Sequence, residues 1–194
     1  MLARLAERVP EVDPLWGPAA SHRRRLALLV AAPVLFLLGG LVFGPGARAA
    51  LFALYAAFFL LLAAIDLEHR IVPNRLVLPA IVIAPLAALL WGHSPLGLLL
   101  GGALHLGFFA LSAVLFRGGI GMGDVKLAAL LGILTGFPGV FMSLMASALL
   151  SGVVSGLLVL TRIRSLRDYI PFAPFMLAGA LIALLVGSGS FPPR

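Results

Sequence analysis

The sequence predicts an all-α, polytopic membrane helix bundle of about seven transmembrane helices with a cytoplasmic N-terminus, on three observations. The chain is 62% hydrophobic and 11% charged, where a soluble domain is about half apolar and about a quarter charged. Its apolar residues gather in runs of roughly 20, the length that crosses a bilayer. Its basic residues fall almost entirely in alternate connections between those runs, the pattern that sets membrane topology.

The apolar runs are, in order, Leu26–Phe43, Ala47–Ile65, Leu76–Trp91, Leu96–Phe116, a stretch over 121–160, and Phe172–Val186. The stretch over 121–160 would form a helix of about 60 Å, twice the roughly 30 Å hydrocarbon core. The break Gly136-Phe137-Pro138-Gly139 is a turn signal and divides it in two. That makes seven helices.

The charges test the count. With the N-terminus inside, the inner segments are 1–25, 66–75, 117–126 and 161–171. They hold Arg4, Arg8, Arg23, Arg24, Arg25, Arg70, Arg75, Arg117, Lys126, Arg162, Arg164 and Arg167, which is 12 of the 14 basic residues. Only Arg48 and Arg194 fall outside. A single pass over 121–160 would carry the Arg162–Arg167 cluster outside and break the rule. All seven acidic residues (Glu7, Glu11, Asp13, Asp66, Glu68, Asp124 and Asp168) also fall inside. Carboxylate chemistry therefore belongs on the cytoplasmic side.

Composition removes several function classes. The absence of cysteine excludes disulfides, thiolate metal sites and cysteine nucleophiles. The net charge of +7 reads as topology signal, so no nucleic-acid partner is expected. Ser21-His22-Arg23-Arg24-Arg25 has a twin-arginine look, but it reads as the cytoplasmic flank of the first helix, with no cleavable signal peptide. Gly97-x-x-x-Gly101 and Gly152-x-x-x-Gly156 suit close helix approach in lipid, and internal packing is the expectation for both.

Two acids stand where acids are costly. Asp66 closes the second helix and Asp124 opens the fifth. An ionisable group at a membrane helix end is a functional hypothesis by default; the plain alternative is a headgroup-level carboxylate paired with Arg70 or Lys126. Two carboxylates brought close cannot both ionise cheaply, so the pair holds an acid and a base together. That equipment splits an amide with water: one member takes a proton from water and the other polarises the carbonyl. The pair titrates as a unit, which leaves the base unassigned. Gly118, Gly119, Gly121 and Gly123 leave room for a substrate backbone and allow positive φ.

These residues resemble a family. Ile65-Asp66-Leu67-Glu68-His69-Arg70-Ile71-Val72-Pro73-Asn74 is similar to the first signature of the prepilin peptidases (type IV leader peptidases), the bacterial GxGD aspartic proteases. Gly118-Gly119-Ile120-Gly121-Met122-Gly123-Asp124-Val125-Lys126-Leu127 is similar to the second. Ile170-Pro171-Phe172-Ala173-Pro174-Phe175 resembles the Pro-Phe-Gly-Pro segment before the last helix, with Ala173 in place of glycine. The resemblance covers about residues 45–190. It implies Asp66 and Asp124 as the catalytic aspartates, no metal or nucleotide cofactor, and cleavage of the basic leader of prepilins or pseudopilins at the cytoplasmic membrane face. It implies a bacterial inner-membrane location in direct contact with the bilayer.

Residues 1–25 then form a cytoplasmic tail and 26–190 the transmembrane peptidase domain. Full-length members carry an N-terminal cytoplasmic insert, often with paired cysteines, and also methylate the new N-terminal amine. This chain matches the shorter, peptidase-only form, and methyltransferase activity is not implied. Gly121, Gly123, Glu68, Arg70, Lys126, Pro73 and Asn74 are candidate substrate-binding or loop-shaping residues. Lys126 would meet a substrate acid or snorkel to the headgroups. His69 reads as an interfacial histidine, and His105, mid-span in the fourth helix, as a partner in an interhelical hydrogen bond. Arg162, Arg164 and Arg167 read as topology determinants that also meet anionic lipid. The rival class is a small transporter with Asp66 and Asp124 as proton or cation sites, for which acids or broken helices near mid-membrane would be needed. A non-enzymatic scaffold would need neither carboxylate. The sequence leaves the oligomeric state open.

Overall fold

The computed structural model describes residues 22–115, 120–162 and 172–187. Within them lie seven helices and no strand: α1 (His22–Phe43), α2 (Ala47–His69), α3 (Asn74–Trp91), α4 (Pro95–Leu115), α5 (Met122–Thr135), α6 (Gly139–Leu160) and α7 (Ala173–Gly187). Each expected run is a helix, and the 121–160 stretch is divided at Gly136–Pro138. Arg4, Arg8, Arg117, Gly118, Gly119, Arg164, Arg167, most of the 1–25 tail and the start of the third signature lie outside the described residues.

The chain turns where backbone chemistry allows. Gly44 and Gly92 adopt positive φ after α1 and α3, the left-handed exit that glycine takes without strain. The Gly92 N–H donates to the carbonyls of Ala88 and Leu89, which closes α3. Pro33, Pro79 and Pro85 lie inside helices, which membrane bundles tolerate where neighbours re-satisfy the backbone.

Helix α5 is the central element and packs against α3, α4, α6 and α7. One face of it would not suffice: Val125, Leu127, Ala128, Leu130, Leu131 and Leu134 are all buried. Around it, α2 packs between α1 and α7, and α6 against α7. Lipid offers no hydrophobic drive between helices, so close van der Waals fit must hold them. Gly101 supplies it: a Cβ there would come within 2.7 Å of the Gly136 backbone and press on the Gly132 carbonyl. At Gly102 a Cβ would meet Ile133 at 2.9 Å. Gly179 lets α7 close on Ser143 and Ser147 of α6 in the same way.

The second glycine pair behaves differently. Gly152 and Gly156 are exposed and a Cβ on either would meet nothing within 4 Å. The expected internal packing is therefore made at Gly101 and not at Gly152 or Gly156. The α6 face that carries them points away from α7.

The turns gather at two opposite faces. On one, the Phe137 N–H donates to the Gly97 carbonyl at 2.9 Å, His93 Nε2 lies 3.0 Å from the Leu134 carbonyl, and Trp91 packs edge-on to Phe43. Burial in that turn holds the His93 ring below the ordinary histidine range, in its neutral form. On the other face lie the ends of α2 and α4 and the starts of α3, α5 and α7. Four helices (α2, α3, α4 and α6) are long and apolar enough to cross a membrane. Helix α5, with 14 residues, rises only about 21 Å at 1.5 Å per residue, short of the roughly 30 Å core. It does not cross the full thickness unaided.

Candidate active site

Asp66 sits on the last turn of α2, 5% exposed. The helix ends three residues later, at His69, because Arg70 takes the left-handed conformation, φ 53° and ψ 38°, and returns its N–H to the Asp66 carbonyl at 2.8 Å. The chain then runs through Ile71 and Val72 to Pro73. The fixed φ of Pro73, −72°, suits its place just before α3, where an N–H would have no helical partner.

Asp124 is 6% exposed and occupies the first turn of α5, three residues after the cap residue Gly121. Its N–H donates to the Gly121 carbonyl at 3.0 Å, and its carboxylate accepts from the Gly121 N–H. The carboxylate thus reaches back to the N–H of the cap residue, the half of a capping box that the third helical residue supplies, and the positive end of α5 favours the carboxylate's charge. Gly121 itself has φ −75° and ψ 147°, an ordinary extended conformation, so the positive φ foreseen for this loop is not used there. Gly123 is glycine for closeness instead: a Cβ would lie 2.9 Å from the Val72 Cβ.

Although 58 residues separate them in sequence, the two carboxylates lie near enough for the charge of Asp66 to act on Asp124. A third element completes the site. Helix α7 starts at Ala173 after Phe172, whose carbonyl accepts from Phe175 and Met176 at 3.1 and 3.2 Å. Pro174 in this first turn costs no helical hydrogen bond. The Ala173 N–H, one of the donors a helix start leaves unused, points to the Asp66 carboxylate. Asp66 Oδ2 is buried with no hydrogen-bond partner among the described residues. Each carboxylate is buried and meets the N-terminus of a helix; burial and the neighbouring acid oppose charging both, while the helix ends favour charge, and Asp66 Oδ2 is left without a partner among the described residues.

The other expected site residues divide. Lys126 donates from Nζ to Asn74 Oδ1 at 3.0 Å. Arg70 and His69 are exposed beside the site, and Pro73 caps α3. Glu68 lies on the last turn of α2, with its side chain outside the described residues. His105 is elsewhere, 0% exposed in mid-α4. Neither of its ring nitrogens has a hydrogen-bond partner among the described residues, so the expected interhelical bond is not made. The surfaces that meet it are Gly132 and the Phe109 ring at 5.4 Å, which offer no acceptor side chain. Among the described residues no group of three or more His, Asp or Glu could hold a metal. Sequence reasoning gave Ala173 and Val72 no place in the site. The Pro-Phe-Ala-Pro segment was the available signal for Ala173, but a backbone donor leaves no mark in residue chemistry.

The model of the type IV leader peptidase family matches residues 53–188. A Bacillus subtilis prepilin leader peptidase/N-methyltransferase is 30% identical over 196 residues, 94% of this chain and 77% of the relative. Its Aeromonas salmonicida counterpart is 29% identical, covering 93% and 67%, and a Burkholderia pseudomallei one is 36% identical, covering 76% and 50%. No solved structure matches the chain. The residues that line the site, from Asp66 to Ala173, lie within the matched region, and the chain belongs to the type IV leader peptidase family of membrane peptidases.

Proposed function

We propose that Asp66 and Asp124 are the catalytic pair of an aspartic endopeptidase that removes the basic leader of a prepilin or pseudopilin-like precursor at the cytoplasmic face of the inner membrane. The observation that carries this reading is the meeting of two buried carboxylates, each backed by a helix N-terminus, at the face where α2 ends and α5 and α7 begin. One carboxylate keeps its proton and hydrogen-bonds the scissile carbonyl oxygen. The other takes a proton from water as the water oxygen bonds to the carbonyl carbon. The tetrahedral intermediate collapses when the C–N bond breaks and the leaving nitrogen takes a proton from the pair. Exposed Leu67, Ile71 and Met122 beside the aspartates suit a substrate that presents an apolar helix from the lipid side. Transport finds less support, because both acids stand at helix ends and not at the bilayer centre.

The test is cleavage of a co-expressed precursor in wild type, Asp66→Asn and Asp124→Asn, read as a mass shift. Asparagine keeps the size and removes the ionisable proton. Each single change should abolish cleavage while the protein still accumulates in the membrane. Normal cleavage by either variant would falsify the paired mechanism.

A further inference from the structure

Lys126 is the one lysine in a chain with 13 arginines, and its partner is defined. Nζ donates to Asn74 Oδ1 at 3.0 Å, a link between helices 52 residues apart in sequence. Lys126 follows Asp124 by two residues, and on a helix such positions lie about 200° apart. The lysine therefore leaves α5 on the side away from the Asp124 carboxylate, toward the start of α3. Gly123, packed on Val72, brings the same stretch of chain, 72–74, onto the first turn of α5. Two contacts from one short segment thus hold that turn.

Such a grip governs rotation. A carboxylate lies about 6 Å from its helix axis, so a 20° turn of α5 would move Asp124 by about 2 Å. Misplacement of about 1 Å can cost about a hundredfold in rate. Lysine suits the task as a compact single-point donor on a flexible stem, where a guanidinium would present a wide planar fork. We infer that Lys126 and Asn74 are positioning residues whose hydrogen bond sets the rotation of α5 that brings Asp124 to Asp66. This rests on the peptidase reading above.

The experiment uses the full chain, purified in lipid, with a precursor that wild type cleaves. Turnover, KM and the pH profile are measured for Lys126→Ala, Asn74→Ala, the double variant and Asn74→Asp. Each alanine variant should lower kcat by about 10- to 100-fold with KM within about twofold. The double variant should be no worse than the weaker single one. The pH profile should change width, because the coupling of two carboxylates depends on their separation. Asn74→Asp accepts the same hydrogen bond with a charge and should restore most of kcat, which separates positioning from loss of fold. If Asn74→Ala matches wild type while Lys126→Ala raises KM, the lysine acts on the substrate and the inference is overturned. An unchanged pH profile, or no rescue by Asn74→Asp, overturns it too. If wild type cleaves no precursor, the peptidase reading itself falls, a result distinct from all of these.

Discussion

Gly136 answers two demands at once. Its φ of 59° with ψ 179° lies in a region that is essentially glycine-only, at a cost of about 1–3 kcal/mol for other residues. A Cβ would also stand 2.8 Å from the His93 Nδ1. Gly136→Ala should therefore destabilise the bundle by at least about 2 kcal/mol, seen as a lower unfolding midpoint in detergent; an unchanged midpoint would show that the turn relaxes. Arg70 presents the reverse case. It holds φ 53° where a left-handed residue other than glycine costs about 1–2 kcal/mol. Arg70→Gly relieves that backbone cost, and a loss of activity in a variant that keeps its unfolding midpoint would assign the side chain a role in the reaction. The two acids were legible in the sequence because charge is conspicuous at a membrane helix end. Their supports were not. Ala173 acts through a backbone N–H and Gly123 through the absence of a side chain, and both depend on distant elements that only folding brings near.

At the scale of the helix, the two small-residue pairs separate what sequence can and cannot say. Gly97-x-x-x-Gly101 and Gly152-x-x-x-Gly156 are the same pattern, yet only the first lies against a neighbour. Gly101→Ala should cost about 1–3 kcal/mol, the usual penalty of overpacking, because the atoms it meets are backbone and cannot swing aside. Gly152→Ala and Gly156→Ala should be neutral or stabilising by up to about 1 kcal/mol through helix propensity. Unfolding midpoints of the three variants in one detergent give the comparison, and equal losses at all three sites would contradict the packing described. Helix existence and boundaries were legible from apolar run length and from Gly136–Pro138. Which face of α6 meets α7 was signalled only by Ser143, Ser147, Ser151 and Ser155, small residues four apart that suit close approach in lipid; Ser143 and Ser147 meet Gly179, while the glycine pair pointed to another face.

For the whole molecule the remaining question is which way the bundle faces. In the topology read from the sequence, 12 of the 14 basic residues fall in the segments that share a side with Asp66 and Asp124, and that bias predicts a cytoplasmic site. The short α5 adds a condition. With a rise of about 21 Å, the helix must leave one or both ends inside the roughly 30 Å core, and the Asp124 end lies among neighbours that cover it. The natural lack of cysteine makes the orientation measurable with single cysteines. Ser94→Cys and Phe137→Cys sit at exposed turns on one face, Ile71→Cys and Thr161→Cys at exposed positions toward the other. A membrane-impermeant maleimide applied to intact cells should label the first pair at once and the second only after permeabilisation. The reverse pattern would put the aspartates outside and leave a cytoplasmic leader out of reach. Labelling of Phe137→Cys together with Ile71→Cys would mean that α5 does not carry the chain across, and the division of 121–160 into two passes would fail with it.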